Sequence, residues 1–142
     1  MSNEQFVTVS PQSSLPLEEL LGVLLTSEEV NLVVRNGRAT AEIRGAAHLR
    51  VGDEWLTINM SDRADHIHVQ RGSLAQAEFL IVRGKNKAVR FFSEDDQTVL
   101  TCYLPGTGEG RPDFSPTRLE ALTQLEVSSR GTPWRRNLGT TP

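Results

Sequence analysis

Apolar positions fall into three successive patterns along the chain. Between Leu15 and Thr26, the residues Leu17, Leu20, Leu21, Leu24 and Leu25 recur at the spacing of one helical face. Ser14 stands as an N-cap, Pro16 sits in the first turn, and Glu18 and Glu19 suit the positive end of the helix dipole. The spacing predicts a short helix packed on a sheet. From Glu29 the period changes to two. Leu32 and Val34 alternate with their neighbours up to Asn36-Gly37, a pair that accepts positive φ and closes hairpins. Across that turn Ala39, Ala41 and Ile43 oppose Arg38, Thr40, Glu42 and Arg44, as on a half-solvated strand. Further strands are expected at 48–51, 54–60, 66–70, 77–83, 88–92 and 98–104, separated by polar or glycine-containing turns. In the third pattern, Ser115 and Pro116 open a second helix whose apolar side is Leu119, Leu122 and Leu125, ending near Ser129.

The order helix, sheet, helix defines an α+β protein. Its largely antiparallel β-sheet, of about eight strands, is flanked by an N-terminal and a C-terminal helix. Residues 1–131 form one domain, and 132–142, without periodic pattern, read as a mobile C-terminal tail.

Composition narrows the function. A chain of 142 residues with 37% hydrophobic content can bury a core without staples. The net charge of −3 argues against a nucleic-acid partner, which selects for basic excess. The single cysteine, Cys102, excludes an intrachain disulfide framework and a cysteine-based zinc site. The first ten residues lack the apolar stretch of a signal peptide. The longest apolar run, Leu20 to Leu25, is far short of the ~20 residues that span a bilayer. A cytoplasmic protein without membrane insertion is therefore expected.

Candidate chemistry is sparse. His66 and His68 are two apart in a strand, so both imidazoles emerge on one face. Such a pair can hold a metal ion or supply an axial ligand to a haem iron, and it is equally what a solvated strand face looks like. Arg44, Arg83 and Arg90 lie in or beside strands. They suit either cross-strand ion pairs or a clamp on a carboxylate or phosphate. Trp55 is expected in the core. Of Phe91 and Phe92 one should be core and the other face outward. Tyr103 should lie opposite Cys102, and Cys102 reads as a buried, inert thiol. No nucleophile elbow, phosphate loop or dinucleotide fingerprint is present.

Several runs together resemble a known family. These are Glu54-Trp55-Leu56-Thr57-Ile58-Asn59, then His68, then Ser73-Leu74-Ala75-Gln76-Ala77, then Val82-Arg83. The last and most specific is Val89-Arg90-Phe91-Phe92-Ser93-Glu94-Asp95-Asp96, which leads into Val99 to Leu104. They resemble the repeat unit of the haem-utilisation proteins of HemS/ChuX/HutX type, over residues 29–104 and the C-terminal helix. The resemblance implies an antiparallel sheet with flanking helices, and haem in a cleft beside the sheet. It implies a homodimer, because the chain holds a single repeat. His68 matches the family's strand histidine and so the iron ligand, with His66 as a neighbour able to substitute. Arg83 matches an arginine placed for a haem propionate. Where some single-repeat members carry a second histidine, this chain has Val34. The implied function is reversible haem capture in haem utilisation or trafficking, carriage rather than catalysis. The alternatives are a haem-degrading enzyme that releases iron, and a dimeric scaffold or interaction protein of the same fold without haem.

Overall fold

A computed structural model describes residues 7–9, 17–82, 86–111, 113–128 and 135–136. In chain order the elements are β1 (Val7–Val9), α1 (Leu17–Leu24), β2 (Thr26–Arg35), β3 (Thr40–Val51), β4 (Trp55–Met60), β5 (His66–Gln70), β6 (Gln76–Val82), β7 (Asn86–Phe92), β8 (Thr98–Leu104), α2 (Pro116–Ser128) and β9 (Arg135–Arg136). The strands form one sheet in the order β1-β6-β7-β8-β2-β3-β4-β5, with β9 pairing β6. Neighbours are antiparallel except β6 and β9, which run parallel.

The α+β architecture and the antiparallel sheet are those the residue pattern predicts. Two details differ. Residues 40–51 form a single strand where the sequence suggests two, so seven strands rather than eight span 29–104. The unpromising Gly45-Ala46-Ala47 stretch is held extended by its neighbours: Gly45 pairs with Val30 and Ala47 with Met60. Cross-strand partners outweigh the weak strand preference of these small residues. Of the segment 132–142, Arg135 and Arg136 are described, and they pair with Leu80 and Ile81.

Period-2 alternation gives the sheet two unlike faces. The inner face carries Val30, Leu32, Leu56, Ile58, Met60, Val69, Ala77, Phe79, Val89, Phe91, Leu100, Cys102 and Leu104, all buried. Leu17, Leu20, Leu21 and Leu24 of α1 and Leu122 of α2 complete that core. The outer face is polar over β3, β4 and β5, where it carries the candidate site, and holds buried Val33, Leu80 and Ala88 further along the sheet. Arg71, after β5, locks this end of the sheet to α1. Its Nε and Nη2 donate to the two Glu18 carboxylate oxygens at 2.8 and 3.0 Å, and its Nη1 donates to the Gly52 carbonyl at 2.8 Å. This two-point fork is directional where a single lysine contact is not.

Candidate functional site

The register brings His66 and His68 together on the outer face of β5. His66 lies opposite Asn59 and His68 opposite Thr57. The ring centroids are 4.7 Å apart at 64°. His66 Nδ1 lies 3.0 Å from the Ala64 carbonyl. A carbonyl only accepts, so in the neutral ring Nδ1 carries the proton and Nε2 keeps its lone pair. His68 Nδ1 lies 3.1 Å from the hydroxyl of Thr57, a buried residue. Both imidazoles are thus anchored through Nδ1, the arrangement that fixes ring orientation in metal-ligating histidines. The third histidine, His48, lies opposite Asn59 on β3 and shares the outer face.

Trp55 departs from its expected core position and is 47% exposed. It shares the outer face with Thr57 and Asn59, and its ring meets that of His68 edge-on at 6.1 Å. An exposed indole beside an imidazole pair offers apolar surface to a flat ligand. Among the described residues no group of three or more His, Cys, Asp or Glu could hold a metal ion. A protein-only metal centre is therefore not formed there, whereas one axial ligand to a haem iron needs no such group. The donor chemistry of His66 and His68 fits that role.

Arg83 lies outside the described residues. The strand it would follow, β6, stands six places from β5 in the sheet, about 29 Å measured along the sheet.

A second feature of the outer face is only partly legible in the sequence. A cavity of about 520 Å³ opens over β2, β3 and β8, lined in part by Asn31, Arg35, Glu42, Arg44, Asn86 and Arg111. Arg44 is one of the arginines that the alternation singles out. Arg90 instead sits 3.6 Å from Glu78 on β6. Arg35 shares the face of Arg44 by the same period, so its signal was present. Arg111 belongs to the loop before α2, where no periodicity could reveal it. Tyr103 lines the same cavity. Burial pushes its phenol above the ordinary range, partly offset by Arg90 and Arg35.

Cys102 is fully buried, as expected. Loss of hydration pushes its thiol from 9.0 up to about 12, with Arg118 pulling the other way. At about pH 8 the native protein should resist iodoacetamide, while the urea-unfolded chain is alkylated. Labelling at the unfolded rate would mean that β8 opens readily. The same shift sets a pH trend. Folding leaves the thiol harder to ionise, so its contribution is constant below 9.0 and stability falls as pH climbs from there toward about 12.

One open antiparallel sheet, with two helices over its inner face and a histidine pair on its outer face, defines the class. A protein-family model matches residues 18–113, and the chain belongs to the ChuX-like family as a single-repeat member. The crystal structure of ChuX is similar with a TM-score of 0.67 at 13% identity, over 89% of this chain and 78% of ChuX. A protein from Erwinia carotovora matches with a TM-score of 0.67 at 15% identity, over 90% of this chain and 78% of its own. ChuS, an E. coli haem oxygenase, gives 0.62 at 16% identity, covering 86% of this chain but 38% of ChuS. No curated protein matches the sequence. Among the described residues no helix is long and apolar enough to cross a membrane.

Proposed function

We propose that this chain is a cytoplasmic haem-binding protein of haem utilisation that captures haem reversibly through His68, with His66 beside it. The observation that carries the reading is the imidazole pair, 4.7 Å apart and anchored through both Nδ1 atoms, next to exposed Trp55. With Nδ1 engaged, Nε2 is the nitrogen available to iron, and the hydrogen bonds hold each ring against rotation. Bound haem would supply the iron that the imidazole ligates. The protein's part is to orient the ring and to cover the macrocycle with apolar surface. The relatives support the ligand class, since ChuX and PhuS are heme-binding proteins.

Carriage rather than turnover is the reading adopted, because both imidazoles stand exposed on the edge strand β5. We propose a homodimer as the working form. Arg83 keeps the role that the family resemblance implies, near a haem propionate.

Hemin titration of the purified, tag-free protein tests the assignment in the Soret region. A saturable band is expected at one haem per chain or per dimer. His68→Ala should weaken it by about tenfold or more and shift its maximum, and His66→Ala should have the smaller effect. Identical titrations for all three proteins would sink the histidine assignment. Bleaching with iron release, in the presence of a reductant and catalase, would replace carriage by breakdown.

A further inference from the structure

Pairing across β3, β4 and β5 sets the residues of the outer face in cross-strand rows. Arg50 lies opposite Thr57, and Thr57 opposite His68. His48, Asn59 and His66 form the neighbouring row. Arg50 and His68 therefore share a face two strand spacings apart, about 10 Å. Thr57, the residue between them, is the one whose hydroxyl meets His68 Nδ1 at 3.1 Å. A group carried at the rim of a flat ligand centred over His68 comes within reach of a long side chain at that distance. The row of His66 offers no guanidinium. It ends on His48, whose Nδ1 lies 3.4 Å from the Ser61 hydroxyl.

Three arginines stand at this end of the sheet, and two of them are engaged. Arg71 is forked onto Glu18 and donates to the Gly52 carbonyl. Arg63 lies 3.1 Å from Asp65 and donates from Nη2 to the Arg44 carbonyl at 2.9 Å. Arg50 is exposed, and among the described residues its side chain has neither a hydrogen bond nor an ion pair. Asp53 and Glu54 follow in the turn between β3 and β4, and Asp53 acts on Arg71. The neighbourhood thus carries no positive excess. What Arg50 offers is a fork of open donors that matches a carboxylate.

We propose that Arg50 binds a propionate of haem held by His68, and so fixes how the macrocycle is turned about the iron–imidazole axis. The assignment depends on the haem reading of that histidine. A single axial bond leaves rotation about itself free, so a second contact away from the axis selects one orientation. Haem carries two propionates, so Arg50 stands beside Arg83 and does not displace it.

Soret titrations with hemin and with hemin dimethyl ester, whose propionates are uncharged, test this in one mixed solvent. Arg50→Gln should weaken hemin binding by about five- to tenfold, the loss of a bidentate charged contact at an exposed site. The Soret maximum should stay in place because the iron ligand is unchanged, whereas His68→Ala moves it. The dimethyl ester should bind the unsubstituted and Arg50→Gln proteins alike. Arg50→Lys should recover part of the hemin affinity, as a point charge without the fork. Urea midpoints should match, because Arg50 is exposed. Hemin binding indifferent to Arg50→Gln would overturn the assignment, as would equal weakening of hemin and its ester, and both results leave the haem reading of His68 standing. Absence of a saturable Soret band in the unsubstituted protein would overturn that reading and this assignment together.

Discussion

Phe91→Ala should lower the stability of the fold by about 3–5 kcal/mol. Phe91 is fully buried on β7 and belongs to the core built by α1 and the inner sheet face. It lies between Ala77 on β6 and Leu100 on β8. A small residue on one side and a rigid strand framework on both sides leave nothing free to collapse into the gap. The cost should therefore approach the upper half of that range, because the spread among such substitutions reflects how well the site relaxes. Against a total stability of about 5–15 kcal/mol, this is a large fraction. Urea unfolding should show a lower midpoint with an unchanged slope. Phe92→Ala is the comparison. Phe92 points to the other face and is only partly buried, so about 1 kcal/mol is expected. Equal losses at the two positions would mean that the inner and outer faces are not as unlike as the register makes them.

The same alternation shows how much of the molecule was legible beforehand. Helix α1 was readable because four of its leucines fall at helical spacing and all four are buried. The hairpin at Asn36-Gly37 was readable from two residues. Asn36 Oδ1 accepts from the amides of Arg38 and Ala39 at 2.9 Å each, and Gly37 has a φ of 91°. At Trp55 size and period point to opposite faces. The period placed it with Thr57 and Asn59 on the polar face, yet its size suggested core, and the period was the better guide. The continuity of β3 was not legible, because Gly45-Ala46-Ala47 owes its extended form to Val30 and Met60 on other strands.

The candidate sites divide in the same way. That His66 and His68 share a face follows from their spacing alone. That Thr57 holds His68 does not, since it depends on the β4–β5 register. The cavity is further from reach. Its arginines come from β2, β3 and a loop, and only the strand order makes neighbours of them. Membership of the family does not decide what fills either site, because ligands are set by side chains on the scaffold and not by the scaffold.

The loop that supplies Arg111 carries the second large effect, at Gly106. Gly106 has a φ of 83°, which an L side chain rarely adopts. A Cβ there would lie 2.3 Å from the Asp113 carbonyl oxygen. That obstacle is backbone, so it cannot swing aside as a side-chain tip would. The surrounding chain is also pinned. Ser115 N–H donates to the Gly106 carbonyl. Thr107 Oγ1 donates to the Leu104 carbonyl and accepts from Lys87 N–H, both at 2.8 Å. Buried Arg118 donates from Nη1 to the Pro105 carbonyl at 2.8 Å. Making room for one methyl group therefore means loosening several of these bonds together, and with them the partner of a buried guanidinium. Gly106→Ala should cost about 3 kcal/mol or more. Gly110→Ala separates conformation from collision. Gly110 has a φ of 85° in the same loop, but an added Cβ meets nothing within 4 Å, so only the backbone penalty of about 1 kcal/mol applies. Equal unfolding midpoints for the two alanine variants would show that residues 106 and 113 are not packed against each other.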